Sequence, residues 1–457
     1  MNRFFISALA LGACAAALAS SPQHLSRPLP DRWEYTEYQP QELPSEDRWW
    51  LMFDDATLDS LISMGENNNF DLEMAARRMD AAARQMDVAR AAYFPTIGIN
   101  AGYTRARAQR VTSNTYSAQA TASWEIDLFG KITAQVRQKK AQYRASRAQW
   151  VGAMVSMAGE IASTYVQLRV WEAQLAVAEE HVNTQDSISK IVGYRYESGL
   201  AAKPQLEQSL SILHSTRATI PGLRTSVATA VSSLALLVGC YPSDIEQLLS
   251  QNPGIPEFRQ LISAGVPAEL LRRRPDVVAA EQTLAAAAAA VGIAKKDFLP
   301  TLSLTADVGF SGPRLNKTFN RDGFGYTIAP TLSWTLFDGM ARSASVAAAR
   351  DEMEAQIANY NYTVMNAYNE VDNAILSYHN DMRAITDYEA AYEHARQFLT
   401  YELDLYTQGL APYSDVATAE QDMLNYANSV LTARGNALTS LVSLYKAMGG
   451  GFSGAMN

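Results

Sequence analysis

Four segments of the chain alternate apolar and polar residues with the period of a β-strand. In the first, Ile97, Ile99, Ala101 and Tyr103 oppose Thr96, Gly98, Asn100, Gly102 and Thr104. The second sets Tyr116, Ala118, Ala120, Ala122, Trp124 and Ile126 against Ser117, Gln119, Thr121, Ser123, Glu125 and Asp127. In the third, Leu302, Leu304, Ala306, Val308 and Phe310 oppose Thr301, Ser303, Thr305, Asp307, Gly309 and Ser311. The fourth sets Phe324, Tyr326, Ile328, Leu332, Trp334 and Leu336 against Gly325, Thr327, Thr331, Ser333 and Thr335. Aromatic residues recur near the segment ends, where a girdle at a membrane interface would need them. By itself this alternation fits a half-buried soluble sheet as well as a barrel strand.

Behind each pair of strands runs a stretch of 68 residues without proline, Lys131–Ser198 and Ala341–Gln408, which predicts a helix of roughly 100 Å. Along the second, Met353, Ile357, Tyr360, Val364, Ala367 and Val371 are spaced by fours and threes, the seam of a coiled coil. Each long helix should stop at a glycine, Gly199 or Gly409, which suits the left-handed cap position, with Pro204 or Pro412 next along the chain. The two halves align through Phe94-Pro95-Thr96-Ile97 with Leu299-Pro300-Thr301-Leu302 and through Ser123-Trp124 with Ser333-Trp334. They align again through Tyr196-Glu197-Ser198-Gly199-Leu200-Ala201 with Tyr406-Thr407-Gln408-Gly409-Leu410-Ala411, so the chain reads as a tandem repeat.

The expected organisation is a signal peptide at 1–13 and an N-terminal belt segment at 14–66. The first repeat occupies 67–240, with its hairpin at 96–128 and long helix at 131–198. A proline-rich connector at 241–273 leads to the second repeat at 274–449, with hairpin 301–337 and long helix 341–408, and a tail at 450–457. Four strands cannot close a barrel, because about eight are needed before side chains fit inside. Several copies must therefore share one barrel; two would leave almost no lumen, and a conducting pore favours three.

Charge and termini narrow the class. A net charge of −9 argues against nucleic acid or an anionic lipid surface as partner, since neither attracts an acidic chain. No stretch reaches 18 consecutive apolar residues beyond the start, which makes a transmembrane helix unexpected. The start itself has Arg3, the apolar run Phe4–Leu11, and then Leu11-Gly12-Ala13-Cys14, which resembles a bacterial lipobox with Cys14 as the acylated residue. Ala15 in place of Asp favours the outer membrane by the same resemblance. Cys240 lies in an apolar run and reads as a buried small hydrophobe.

Catalytic chemistry has no foothold in the sequence. The five histidines, His24, His181, His214, His379 and His394, lack metal-ligand spacing, and no HExxH, CxxC pair, Walker loop or nucleophile elbow occurs. Glu125, Asp127 and Asp307 read as lumen-facing charges rather than a catalytic pair, and with Asp415 they would give the lumen a mild preference for cations.

The residues that carry a family resemblance are Trp49-Trp50-Leu51-Met52-Phe53-Asp54-Asp55 with Leu58, Leu61 and Asp71-Leu72; Pro267 to Asp276 with its arginine cluster; Phe298-Leu299-Pro300; Leu336-Phe337-Asp338-Gly339; and Leu444 to Gly450. With these, essentially the whole chain resembles the outer membrane factor (TolC-like) family, in particular its lipidated NodT-type or OprM-like efflux branch. The resemblance implies a mixed α and β membrane protein: a trimeric 12-stranded β-barrel, four strands per chain, on a long periplasmic α-helical coiled-coil barrel. It implies a passive exit duct in a tripartite efflux pump for drugs or other small toxic compounds. The implied partners are two further copies, a periplasmic adaptor (membrane fusion) protein, an inner-membrane transporter of RND or other type, and outer membrane lipid.

By the same resemblance the adaptor meets the helical tips at Gly199, Leu200 and Ala201 and at Gly409, Leu410 and Ala411. Asp415 matches the family's aperture acid and Tyr406 its locking tyrosine. Ala411 stands where the family has Arg, and Gln205 where it has Asp, so the charged lock is incomplete in sequence. Two alternatives keep part of this reading: the outer membrane channel of a type I protein secretion system, and a periplasmic coiled-coil scaffold that never spans the membrane.

Overall fold

The computed structural model describes residues 30, 33, 48–108, 111–256 and 273–450. Cys14, most of the N-terminal belt segment and the arginine cluster up to residue 272 lie outside the described residues. A 3₁₀ turn at Trp49–Phe53 leads to α1 (Ala56–Asn68) and α2 (Phe70–Ala91), the hairpin β1 (Thr96–Ala108) and β2 (Val111–Ile126), α3 (Lys131–Glu197), α4 (Lys203–Leu237) and α5 (Pro242–Leu249). The second half supplies α6 (Pro275–Lys296), β3 (Thr301–Gly312), the one-turn α7 (Leu315–Thr318), a 3₁₀ turn at Arg321–Gly323, β4 (Phe324–Ser333), α8 (Ala341–Thr407) and α9 (Tyr413–Ala447). The long helices α3 and α8 have 67 residues each.

The described chain forms two compact units, each assembled from both repeats. Of the described residues, one holds 92–108, 111–138 and 283–365, and the other holds 33, 48–91, 139–256, 273–282 and 366–450.

The first unit holds a four-stranded antiparallel sheet in the order β1-β2-β3-β4. Its register sets Gly98 opposite Thr121, Thr121 opposite Asp307, and Asp307 opposite Thr327. The neighbouring row aligns Ile99, Ala120, Val308 and Tyr326. Because side chains alternate along a strand, this register puts every apolar series on one face and every polar series on the other; a slip of one residue would mix them. Ile97, Ile99, Val308, Tyr326, Ile328 and Leu332 are all exposed on the apolar face. β4 stops at Ser333, earlier than the alternation through Leu336 suggests. The reason is pairing: Ser333 meets Thr301, the first residue of β3, and β3 offers no partner to Trp334 or the residues after it.

Tryptophan fixes both strand-to-helix junctions in the same way. The indole of Trp124 donates to the Tyr93 carbonyl and that of Trp334 to the Phe298 carbonyl, each at 3.0 Å. Lys131 pairs with Asp297 at 2.7 Å and Lys296 donates to the Gly130 carbonyl, which joins the junction of one repeat to that of the other. Arg342 pairs with Asp338, donates to the Asp297 and Thr335 carbonyls, and lies over the Phe298 ring.

The second unit is a helical bundle with the main hydrophobic core. Trp49, Trp50 and Phe53 of the 3₁₀ turn and Leu58, Leu61 and Ile62 of α1 pack with Ile161 and Tyr165 of α3, Leu234 of α4, Ile245 of α5, Val371 of α8 and Leu441 of α9. Trp49 stacks on Tyr445 with ring centroids 5.2 Å apart. Asp55 caps α1 by accepting from the Thr57 and Leu58 amides and also accepts the Tyr165 hydroxyl at 2.6 Å. Arg169, 1% exposed, pairs with Glu172, donates to the Leu249 carbonyl and lies over the Tyr165 ring, so its buried charge is paired although its Nε finds no hydrogen-bond partner among the described residues. On the α8 seam Val364, Ala367 and Val371 are buried, while Met353, Ile357 and Tyr360 are half-buried.

Two helices, α4 and α6, are long and apolar enough by composition to cross a membrane, which run length alone did not anticipate. In α6 the apolar character comes from alanine, nine of its 22 residues, whose small side chains favour close helix approach more than lipid solvation.

Candidate functional site

The polar face of the sheet and the helical tips are the two places where sequence-predicted site residues fall. On the sheet, Glu125 opposes Ser303 and Asp307 opposes Thr121, so both carboxylates stand on the polar face, four residues apart along the strands. Asp127 does not stand free beside them. Just past β2, its two carboxylate oxygens accept the Ile132 and Thr133 amides at 2.9 Å each and the Thr133 hydroxyl at 2.6 Å. Asp127 thereby satisfies first-turn donors of α3, the position where a negative charge also meets the positive end of the helix dipole.

The two tips are built alike. At the first, the Gly199 amide bonds the Tyr196 carbonyl and the Leu200 amide bonds the Arg195 carbonyl; at the second, Gly409 bonds Tyr406 and Leu410 bonds Leu405. This doubly bonded helix ending requires a left-handed residue, and Gly199 and Gly409 have φ of +70° and +77°. Space is no constraint at Gly199, where an added Cβ would meet nothing, so the demand for glycine there is purely conformational. Leu200 and Leu410, 69% and 71% exposed, project as apolar knobs, and Ala201 and Ala411 are half-buried beneath them.

Behind the tips lies a second hydrophobic cluster of Ile188, Val192, Leu399, Tyr406, Tyr413, Val416, Ala417 and Ala419. Tyr406 is buried and meets Tyr413 edge to face at 5.7 Å. The Arg195 guanidinium lies 4.8 Å from the Tyr406 ring centroid and donates to the Thr407 carbonyl at 3.0 Å. Burial pushes the Tyr406 phenol up, against the pull of the Arg195 cation. Arg195, from the first tip, thus places a cation beside Tyr406 at the second. The signal was present in the repeat alignment, since Arg195 is the counterpart of Leu405 and breaks the match between two otherwise similar tips. Gln205, where an acid was expected, instead accepts the Ala202 amide and caps α4.

Asp415 stands exposed in the first turn of α9, where its carboxylate accepts the Ser414 hydroxyl at 3.1 Å. Two further groups carry no signal in the sequence. Glu420, 1% exposed, has both carboxylate oxygens without a hydrogen-bond partner among the described residues, and burial pushes its pKa up to about 7. His181 is likewise buried with neither ring nitrogen engaged, and burial pushes it down. Gln185 donates to the Tyr413 hydroxyl and the Ser209 carbonyl, tying α3 to α9 and α4. Burial pushes the Tyr413 phenol up to about 12. Among the described residues no group of histidines, cysteines and acids is placed to hold a metal.

The family of outer membrane efflux proteins matches the chain over residues 61–240 and 266–450. Nodulation protein T of Rhizobium leguminosarum bv. viciae is 24% identical over 99% of this chain and 95% of its own length. The solvent efflux pump outer membrane protein SrpC of Pseudomonas putida is 26% identical over 89% of this chain and 87% of its own. The solved structure of the outer-membrane channel OprN superposes with a TM-score of 0.85 at 25% identity, covering 94% of this chain and all of the other. A sheet with one lipid-suited face, long helices capped by matched glycine turns and a match over most of the chain converge: the chain belongs to the outer membrane efflux protein family and is an outer membrane channel of the efflux type.

Proposed function

We propose that three copies pool their sheets into one 12-stranded barrel and act as the passive exit duct of a tripartite pump that carries drugs, solvents or other small toxic compounds out of the cell. The observation that carries this reading is the sheet itself. Among the described residues its two edge strands, β1 and β4, have no further partner, and its apolar face, exposed along β1 and β4 and at Val308 and half-buried between them, is backed by a polar one. Open edges seek further strands, and an exposed apolar face of this extent seeks lipid. Three sheets joined edge to edge satisfy both, with Glu125 and Asp307 on the face that lines the passage.

In this reading residues 1–13 are removed as a signal peptide, Cys14 carries lipid, and the periplasmic adaptor docks on Gly199 to Ala201 and Gly409 to Ala411. Leu200 and Leu410 support that role as exposed apolar knobs at the ends of paired helices. Arg195 over Tyr406 holds the two tips of one protomer together, and Asp415 supplies charge at the aperture. An inner-membrane transporter, RND-type or other, provides the energy. The test is deletion of the gene, then a panel of drug, detergent, metal and organic-solvent susceptibilities. Sensitisation to several unrelated compounds, restored by the intact gene, is expected; unchanged tolerance with the protein expressed would count against efflux.

A further inference from the structure

The end of the sheet that carries the hairpin turns is basic, although the chain as a whole has a net charge of −9. Past Tyr103 and Phe310, the described residues of the two hairpins include Arg105, Arg107, Arg314, Lys317 and Arg321 against one acid, Asp322. All five cations are exposed, and none has a carboxylate partner among the described residues. Local charge of this sign in an acidic chain is not explained by internal pairing.

Position gives the charge its meaning. Arg105 and Arg107 continue the odd-numbered series of β1 that begins with Ile97, Ile99, Ala101 and Tyr103, and they pair across the hairpin with Asn114 and Thr112. Their side chains therefore leave on the apolar face, not on the polar one. Immediately below them is a band of aromatic rings on that same face. Tyr103 lies against Tyr116 with centroids 4.7 Å apart, and Phe310 meets Phe324 at 5.6 Å and Phe319 at 5.8 Å. Aromatic bands of this kind sit at the level of lipid headgroups. At about 3.3 Å per residue, Arg105 and Arg107 stand roughly 7 and 13 Å past Tyr103 along the strand, and less than that along the membrane normal because barrel strands tilt, which keeps both beside the polar headgroups. The guanidinium fork matches phosphate oxygens better than any other side chain does.

We propose that Arg105 and Arg107, backed by Arg314, Lys317 and Arg321, form a docking surface for the phosphate groups of a phosphorylated glycolipid in the outer leaflet around the barrel. The inference rests on the reading that the apolar face of the sheet meets lipid. A soluble anion would have no reason to be recognised from that face, whereas a lipid phosphate is held there by its acyl chains. The surface would anchor the barrel end and fix its depth in the bilayer.

The experiment uses the full-length protein in lipid nanodiscs, titrated with bisphosphorylated lipid A, with the same lipid after removal of both phosphates, and with inorganic phosphate. Binding is read by native mass spectrometry and by the rise in melting temperature. Retention of the bisphosphorylated lipid alone is expected, with affinity lowered about fivefold per cation removed and thus about twenty-five-fold in R105Q/R107Q. Equal retention of the dephosphorylated lipid, an equal effect of inorganic phosphate, or an unchanged affinity in the variant would overturn the site. If R105Q/R107Q fails to assemble, R314Q/K317Q/R321Q, whose substitutions lie outside the strands, carries the same comparison. Conductance of the same preparations separates the two levels. A wild-type protein that conducts but ignores the phosphates sinks the lipid site alone, and one that never inserts sinks the channel reading beneath it.

Discussion

The guanidinium of Arg195, at the end of α3, lies 4.8 Å from the ring centroid of Tyr406, at the end of α8, and bonds the carbonyl of Thr407 beside it. One half-buried cation thus spans the two tips of a single chain. A cation over an aromatic face contributes about 0.5–1 kcal/mol when partly exposed, and a hydrogen bond from a charged donor about 1.5–3 kcal/mol when it is well shielded. That is enough to favour the joined arrangement of the two tips and too little to make it permanent.

Replacement of Arg195 by Ala should shift the tips towards separation by at least several-fold, seen as a higher mean conductance in planar bilayers. Arg195→Lys should recover part of the effect, since it keeps a cation but not the fork that also reaches Thr407. Identical conductance in all three proteins would remove Arg195 from the closure.

Glu420 should make the bundle behind the tips sensitive to pH. Burial raises its folded-state pKa to about 7, above the ordinary carboxylate value that it has when unfolded. The folded state therefore holds the proton more tightly, so stability is greatest below the unfolded pKa and falls as pH rises from there to about 7. The full loss is on the order of 3 kcal/mol per chain. Melting temperature measured from pH 5 to pH 8 should decline for the wild type and stay nearly level for Glu420→Gln. Parallel curves would show that Glu420 does not titrate in this range.

Gly409→Val should strain the second tip, because a β-branched residue at a φ of +77° costs at least about 1–2 kcal/mol. The change is confined to an exposed turn, so trimers should persist on unheated gels while adaptor binding in a pull-down falls. Undiminished binding and resistance in this variant would take the tip out of the docking surface.

Asp127 and Asp307 should separate cleanly by function. Asp127→Asn removes the charge that serves the Ile132 and Thr133 amides and should cost about 1 kcal/mol of helix stability without altering ion selectivity. Asp307→Asn, on the polar face, should lower cation preference in reversal-potential measurements and leave stability nearly unchanged. The opposite pattern would reverse the two assignments.

Much of this architecture is legible in the sequence because it is written in local periods. Alternation by two marks the strands, the absence of proline over 68 residues marks α3 and α8, and paired glycines mark both tips. The end of β4 is less legible, since Trp334 and Leu336 continue the apolar alternation after the partner strand has ended. Asp127, by its place in the alternation, reads as one more polar-face charge, yet the geometry of the turn into α3 gives it to the helix amides.

What the sequence alone determined is everything that depends on neighbours along the chain: element type, the amphiphilic faces, the cap positions and the duplication. Tertiary structure decided which distant groups meet. Arg195 reaches Tyr406 across 211 positions, and Glu420 is left 1% exposed although nothing in the residues beside it marks it for burial. The physical reason is range. Backbone preferences and side-chain periodicity act over a few residues, whereas desolvation and charge pairing depend on distances in space that no local pattern encodes.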